Sequence, residues 1–295
     1  MDSMTLYIRE GSKKNLCCKV DINPAPISTR LVNGSEALFV KHNVQNICYQ
    51  FDKVSRYDQG NYTCIAENEI GSASTTISLK VKFPPDIHIH YKNFTIHDDL
   101  RKIDCKPEGF PVNYTYGVWE HESEFNEHIR YLNSTENGTL ILPKVTEASD
   151  GYQDSGNYIC KATNGVPNKH HFQQGKAFIV SNGPPVFVIQ NSAIQYGAKG
   201  NQITMRLYIL SYSKIYCNVI RAADPKIGVV NEENKFIRSA KVVDMFHGKN
   251  VTVNGMELLF ELGKGEQKHF QVYNITVCNE FGNKTYSVDL VSTGW

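Results

Sequence analysis

The cysteines of this sequence of 295 residues could form disulfide bonds or bind a metal ion. The eight cysteines are Cys17, Cys18, Cys48, Cys64, Cys105, Cys160, Cys217 and Cys278. They form no Cys-x-x-Cys pair and no cluster with histidine at zinc-binding spacing. Their even number and wide spacing favour disulfide bonds in an oxidising compartment over a metal site.

Histidines and carboxylates do not point to a second kind of chemistry. His88 and His90 alternate onto one face of a strand, but no third metal ligand lies near them in the sequence. Glu147, Asp150 and Asp154 lack the spacing of a calcium-binding loop. The sequence contains no Gly-x-Ser-x-Gly, His-Glu-x-x-His, P-loop or Gly-x-Gly-x-x-Gly motif. We therefore expect no enzyme activity, no bound metal and no cofactor.

Asparagine supplies a modification signal that agrees with the cysteines. Nine Asn-x-Ser/Thr triplets begin at Asn33, Asn61, Asn93, Asn113, Asn133, Asn137, Asn250, Asn274 and Asn283. A chain of this composition would hold about three such triplets by chance. The excess predicts an extracellular glycoprotein.

The charge balance excludes two classes of partner. Lysine and arginine number 31 against 30 aspartates and glutamates, and no run of like charge occurs. Such a chain lacks the basic footprint that nucleic acids or anionic membranes attract. The expected partner is a protein, with no nucleic acid and no direct membrane insertion.

The N-terminal stretch MDSMTLYIREGSKKNL lacks the apolar segment of a secretory signal. No run of 18 apolar residues that could span a bilayer is present either. The sequence leaves no room for a first strand before the one that carries Cys17 and Cys18. We therefore expect a fragment of a longer secreted or membrane-anchored protein.

Two proline pairs, in FPPD at 83–86 and GPPV at 183–186, mark breaks between domains. Their separation, about 100 residues, is the size of one small β-sandwich. Between the breaks, short runs with period-two alternation indicate strands and no stretch predicts a helix. The pattern predicts an all-β chain with three domains over residues 1–82, 83–181 and 182–295, the first truncated at its N-terminus.

A repeated motif, Asp-x-Gly-x-Tyr-x-Cys-x-Ala-x-Asn, occurs in YDQGNYTCIAEN and QDSGNYICKATN. Its fixed positions are Asp58, Gly60, Tyr62, Cys64, Ala66 and Asn68, and again Asp154, Gly156, Tyr158, Cys160, Ala162 and Asn164. Both copies resemble strand F of immunoglobulin domains of the I-set type. The resemblance implies three tandem β-sandwiches, the third atypical, and makes Tyr62 and Tyr158 the tyrosines whose hydroxyls close the corner before that strand.

In the second domain the resemblance implies a core disulfide between Cys105 and Cys160, with Trp119 packed against it. In the first domain the core disulfide would join Cys64 to Cys18, because Cys18 shares a strand face with apolar neighbours.

Cys17 and Cys48 would then both point outward. In this fold their strands are neighbours in one sheet, so the resemblance implies a cross-strand disulfide between them. Two free exposed thiols are the alternative. The first domain has no tryptophan at the core position, where Arg30 or Leu31 stands.

The third domain can be aligned with the others in two ways. Aligning it on Cys278 gives an ordinary core disulfide between Cys217 and Cys278. Aligning it on the asparagine and glycine of NEFG puts Tyr273 on the corner tyrosine and Ile275 on the core cysteine.

The second alignment makes better sense of the apolar pattern. Leu207 would then face Ile275 in place of a disulfide, and Cys217 would join Cys278 across neighbouring strands of one sheet. A fibronectin type III domain is a further alternative for this region.

These features resemble the ectodomains of cell-adhesion proteins such as neural cell adhesion molecules, hemicentins and nephrin-like proteins. The resemblance implies a module that binds a protein ligand or the same protein on another cell. Acceptor asparagines crowd the second domain, but its loop Gly165–Gln174 has none. His170, His171 and Phe172 in that loop are therefore the candidate binding residues.

Three other functions share this pattern. The chain could be the ligand-binding ectodomain of a kinase-linked receptor or a secreted immune-recognition protein. An intracellular titin-like segment is the third, and the nine acceptor triplets argue against it.

Overall fold

The computed structural model describes residues 4–224 and 235–293. Across these residues it contains 24 β-strands, short 3-10 turns and no α-helix. The predicted all-β class with tandem sandwich domains is confirmed. The chain divides into two compact units. The first contains Met1–Ile87, Pro107–Thr115 and Ala162–Gln173, and the second contains His88–Lys106, Tyr116–Lys161 and Gln174–Trp295.

The first sandwich has seven strands. They are β1 Met4–Arg9, β2 Lys14–Lys19, β3 Ser28–Asn33, β4 Glu36–His42, β5 Asn46–Phe51, β6 Gly60–Glu67 and β7 Ser72–His90. One sheet has the order β7-β6-β3-β4, and β2 pairs with β5 in the other. Leu31 is 1% exposed and fills the core where a tryptophan would otherwise stand.

Strand β1 corrects one expectation from the sequence. It precedes β2 and pairs in parallel with β7, from Met4 opposite Ile77 to Arg9 opposite Lys82. The expectation that the chain leaves no room for a strand before β2 is therefore wrong. The alternation in this segment is weak, since only Ile8 is buried, so pairing with β7 rather than local pattern defines the strand.

The second sandwich has nine strands. They are β8 Phe94–Thr95, β9 Lys102–Phe110, β10 Thr115–Tyr116, β11 Trp119–Glu122, β12 His128–Leu132, β13 Thr139–Ile141, β14 Gly156–Thr163, β15 Gln173–Ile179 and β16 Ser181–Asn182. One sheet has the order β10-β14-β11-β12, with β15 also on β14. A 3-10 turn, Ala148–Asp154, leads into β14.

The third sandwich has eight strands. They are β17 Val186–Phe187, β18 Ile194–Gly197, β19 Gln202–Leu210, β20 Cys217–Ala222, β21 Lys235–Phe246, β22 Lys249–Lys264, β23 Val272–Asn279 and β24 Gly282–Ser292. They form two four-stranded sheets, β17-β19-β22-β21 and β18-β24-β23-β20. Alternate residues of β19, β22 and β23 face each other in a hydrophobic core.

A long hairpin of β21 and β22 adds a second apolar cluster to the same compact unit. His247 and Gly248 connect the strands with φ of 45° and 81°, and a two-residue hairpin turn of this kind requires positive φ at both positions. The cluster joins the hairpin to the turn before β14 and to β12, and its buried members are Ile129, Tyr152, Val188, Leu210, Val242, Phe246, Val251 and Val253.

A polar contact accompanies this cluster. Asp244 of β21 is 1% exposed. It accepts hydrogen bonds from the Tyr152 hydroxyl at 2.8 Å and from the Ile189 backbone N–H at 3.0 Å. Both carboxylate oxygens therefore have hydrogen-bond donors within the cluster.

Candidate binding surface and its structural framework

Two disulfides lie side by side in the first sandwich. Cys18 of β2 and Cys64 of β6 are buried and bonded between the two sheets, with Cα atoms 5.9 Å apart. Cys17 lies directly opposite Cys48 in the pairing of β2 with β5, and the structure bonds these two exposed residues. Their Cα atoms are 4.0 Å apart, which is slightly below the usual range for disulfides.

The second sandwich has one disulfide, between Cys105 of β9 and Cys160 of β14, with Cα atoms 6.0 Å apart. Trp119 at the start of β11 is 1% exposed. Its indole N–H donates to the Gly138 carbonyl at 3.2 Å. The buried ring therefore keeps a partner for its one polar atom.

In the third sandwich the structure bonds Cys217 of β20 to Cys278 of β23, two neighbouring strands of one sheet. Their Cα atoms are 5.0 Å apart. Leu207 and Ile275 are both 0% exposed and belong to the apolar core. Apolar packing thus occupies the place that a disulfide has in the other two sandwiches.

A corner tyrosine lies near the start of β6, β14 and β23, one such strand in each sandwich. Tyr62, Tyr158 and Tyr273 donate their hydroxyls to carbonyls four residues earlier, at 2.7, 2.8 and 3.0 Å. Burial raises the pKa of all three, that of Tyr62 to about 12. Each hydroxyl therefore stays protonated and able to donate at physiological pH.

A buried charge cluster centred on Asp154 was not foreseen from the sequence. Its carboxylate, 6% exposed, contacts Arg101 and Arg130 at 2.5 Å each and His247 at 2.8 Å. Burial by itself raises the pKa of Asp154, but His247 and the two arginines outweigh it and lower the pKa to about 2. The second motif aspartate thus serves as a buried counter-ion for groups far apart in the sequence.

His121 of β11 is buried beside this cluster and stacks on Tyr158, with ring centroids 4.4 Å apart. Burial, together with the charge of Arg130, lowers the pKa of His121 to about 3. The ring is therefore neutral at physiological pH. Its Nε2 lies 3.1 Å from the Ser155 carbonyl oxygen, so Nε2 carries the proton and donates it to that oxygen.

All nine acceptor asparagines are exposed. Asn33 and Asn61 lie on neighbouring strands β3 and β6, and Asn274 and Asn283 on neighbouring strands β23 and β24. No acceptor triplet occurs between Asn137 and Asn250. A glycan attached at these sites would cover particular sheet faces and leave the long intervening segment uncovered.

The candidate binding loop has a fixed base and an exposed tip. At the base, the Asn164 side-chain amide donates to the Phe83 carbonyl at 2.9 Å and to the Pro111 carbonyl at 3.1 Å. At the tip, His170 and His171 are exposed and Phe172 is half-buried. The rings of His171 and Phe172 meet edge to face at 5.0 Å, so the tip presents an aromatic surface.

Among the residues that the structure describes, it brings together no other chemical site that the sequence suggested. In residues 4–224 and 235–293, no three histidine, cysteine, aspartate or glutamate side chains converge as they would around a metal ion. Within the same ranges, no helix is long and apolar enough to cross a membrane.

Comparison with known proteins identifies one domain directly. Residues 3–81 match the immunoglobulin I-set domain. The chain is 32% identical to Protein turtle homolog B of Mus musculus over 165 residues, which are 54% of this chain and 12% of that protein. It is 25% identical to Neural cell adhesion molecule 1 of Gallus gallus over 211 residues, 67% of this chain and 18% of that protein.

A third relative is matched over more of the chain. Hemicentin-1 of Homo sapiens is 25% identical over 256 residues, 83% of this chain and 4% of that protein. The chain thus spans less than a fifth of each of these relatives. Its four disulfides, a feature of oxidising compartments, and its relatedness to cell-adhesion proteins place it outside the cell. Residues 3–81 of the chain therefore form an immunoglobulin I-set domain.

Proposed function

We propose that this chain is a protein-recognition segment of a cell-adhesion or cell-surface recognition protein. It binds a protein ligand, or another copy of itself on an opposing cell, and catalyses no reaction. The similarity to Neural cell adhesion molecule 1 over 67% of the chain carries this proposal. It acts through three immunoglobulin domains, with boundaries at residues 1–82, 83–181 and 182–295.

Within this function, the loop Gly165–Gln174 makes the contact through His170, His171 and Phe172. Its anchored base supports this role, because a pre-organised loop loses little conformational entropy on binding. Its exposed aromatic tip supports it as well, since aromatic side chains dominate the energy of many protein interfaces. The absence of an acceptor triplet from the loop leaves the tip uncovered by glycan.

A bead assay tests the proposal. Beads that carry the whole chain are mixed with each other, and separately with cells, and aggregation or attachment is counted. The variant His170→Ala, His171→Ala, Phe172→Ala should lose binding. The matched control is Tyr57→Ala, which removes an aromatic side chain that is 89% exposed in the same compact unit.

Failure would take two distinguishable forms. Wild-type beads that neither aggregate nor attach to any cell type would contradict a role in adhesion. Wild-type binding that survives in the triple variant would contradict only the assignment of the loop.

A further inference from the structure

A polar cleft of about 510 Å³ lies within the first compact unit. One wall is formed by the end of β1 and the segment after β5. Another wall is formed by Pro167, Asn168 and Gln173 of the candidate binding loop. The charged residues that line it are Arg9, Glu10, Lys53, Arg56, Lys82 and Asp86. Four cationic side chains thus face two acidic ones, an excess of two positive charges, although the net charge of the whole chain is only +1.

The two carboxylates are already engaged. The Arg56 guanidinium binds Glu10 with contacts of 2.9 Å from both Nε and Nη2, and its Nη1 binds Asp86 at 2.5 Å. The hydrogen bond from Arg56 lowers the pKa of Glu10, so this group of three stays ionised. The remaining cations of the cleft are not neutralised by these acids.

Lys53 and Lys82 are the cations most available to a ligand. Both are exposed, and within the described part of the chain neither has a carboxylate in salt-bridge contact. The Lys82 ammonium lies 5.3 Å from the centre of the Tyr7 ring. Arg9 is more constrained, because its guanidinium donates to the Pro167 carbonyl at 2.5 Å.

The uncharged lining favours a carbohydrate over an apolar ligand. The Asn168 side-chain amide donates to the Gln173 side-chain oxygen at 3.3 Å, and the Gln173 amide donates to the His170 carbonyl at 3.0 Å. Each amide keeps a second N–H and a second oxygen lone pair, which can donate to and accept from sugar hydroxyls. Pro84, Pro85 and Pro167 form restricted backbone around them. An excess of positive charge inside a cleft concentrates the electric field there, so the cleft attracts an anion more strongly than scattered surface lysines do.

We propose that this cleft binds an anionic oligosaccharide, with Lys53 and Lys82 contacting its sulfate or carboxylate groups and Asn168 and Gln173 contacting its hydroxyls. This activity is separate from the protein recognition proposed above and does not depend on it. It would attach the chain to the sugar coat of a cell or matrix.

Two defined probes test the proposal on the whole chain. One is a heparin-derived sulfated tetrasaccharide, and the other is a hyaluronan tetrasaccharide, which carries carboxylates only. Affinities are measured by titration calorimetry in about 0.15 M salt, where exposed long-range charge effects are largely screened. The test variant is Lys53→Ala with Lys82→Ala, and the matched control is Lys41→Ala with Lys80→Ala, two exposed lysines of the same unit.

The cleft variant should weaken binding by about tenfold or more, as expected for two lost charge-assisted hydrogen bonds. The control should bind as the wild type does. If the cleft variant loses affinity for the sulfated probe, the result supports a sulfated ligand. If it loses affinity for the hyaluronan probe alone, the result supports a carboxylated ligand. No binding of either probe by the wild type, or equal loss in both variants, would overturn the proposal. Unchanged thermal unfolding of the variants shows that any loss is not due to misfolding.

Discussion

Replacing Asp154 by asparagine tests whether the buried charge cluster holds the second sandwich together. The substitution keeps the size of the side chain and removes its charge. Arg101 is 2% exposed and would then lie in the protein interior without its counter-ion. Removing one partner of a buried ion pair costs about 3–5 kcal/mol, because the other charge stays desolvated.

The pKa of Asp154 gives a second measure of the same effect. The drop from an ordinary value of 3.8 to about 2 corresponds to a preference of about 2 kcal/mol for the charged form. The folded pKa lies below the unfolded one, so this stabilisation is complete above about pH 4 and is lost as the pH falls towards 2. We therefore expect Asp154→Asn to lower the free energy of unfolding by about 3 kcal/mol at pH 7.

Asp58 provides a matched control, since it occupies the same position in the first copy of the motif. Its carboxylate accepts the Ser55 backbone N–H at 2.7 Å and caps a short 3-10 turn. Asparagine can accept the same bond, so Asp58→Asn should cost less than about 1 kcal/mol. Neither substitution changes the backbone carbonyl of residue 58 or 154, which accepts the hydrogen bond from the hydroxyl of the corner tyrosine.

The measurement is urea unfolding of the whole chain, followed by circular dichroism and by tryptophan fluorescence. Trp119 lies in the same sandwich as Asp154, and Trp295 is the other tryptophan of the chain. A large shift for Asp154→Asn beside a small one for Asp58→Asn is expected. Equal and small shifts would refute the reasoning, because they would mean that Arg101 does not depend on Asp154 for compensation.

Three further predictions concern other parts of the framework. Replacing Cys217 and Cys278 by alanine should lower the free energy of unfolding by up to about 4 kcal/mol, since their bond closes a loop with a sequence separation of 61. Peptide mapping without reduction should first show that these two cysteines are linked. A link from either of them to any other cysteine would contradict the disulfide assignment. The pKa of His121 is about 3 in the folded protein, against an ordinary value of 6.5. The contribution of the neutral ring to the free energy of unfolding should therefore be fully present above pH 6.5 and fall by about 1.4 kcal/mol per pH unit from about pH 6 to 4.5. The free energy of unfolding of His121→Gln should depend less steeply on pH than that of the wild type. Identical pH curves for the two proteins would contradict the role of His121. Tyr273→Phe should cost about 1 kcal/mol by removing the hydroxyl bond to the His269 carbonyl, and thermal unfolding that matches the wild type would show that this corner adds no stability.

Strand alternation predicts much of the local framework because side chains in a strand point to opposite faces in turn. Cys17 and Cys18 are neighbours in sequence, yet the structure leaves one exposed and buries the other. The same rule works for β23, where Tyr273, Ile275 and Val277 all face the core. It says less about β1, where most residues are exposed and pairing with a distant strand defines the element.

Alternation could not have found the charge cluster around Asp154. Its partners stand at positions 101, 130 and 247, and no local pattern connects residues that far apart. The aspartate itself could be read from the motif, but its surroundings could not. In the first copy of the motif the same aspartate only caps a turn, so identical sequence signals acquire different roles from what the fold packs against them.

By itself, the sequence determined the all-β class, the repeat and the faces of the strands that carry the cysteines, because these depend on period-two alternation and on residues within one strand. Only the tertiary structure decided which distant charges meet. Arg9, Lys53 and Lys82 come from separate segments and line one cleft, although the composition is almost neutral and shows no basic run. Charge in a sequence is counted along the chain, whereas the electric field that a ligand meets depends on distances in space.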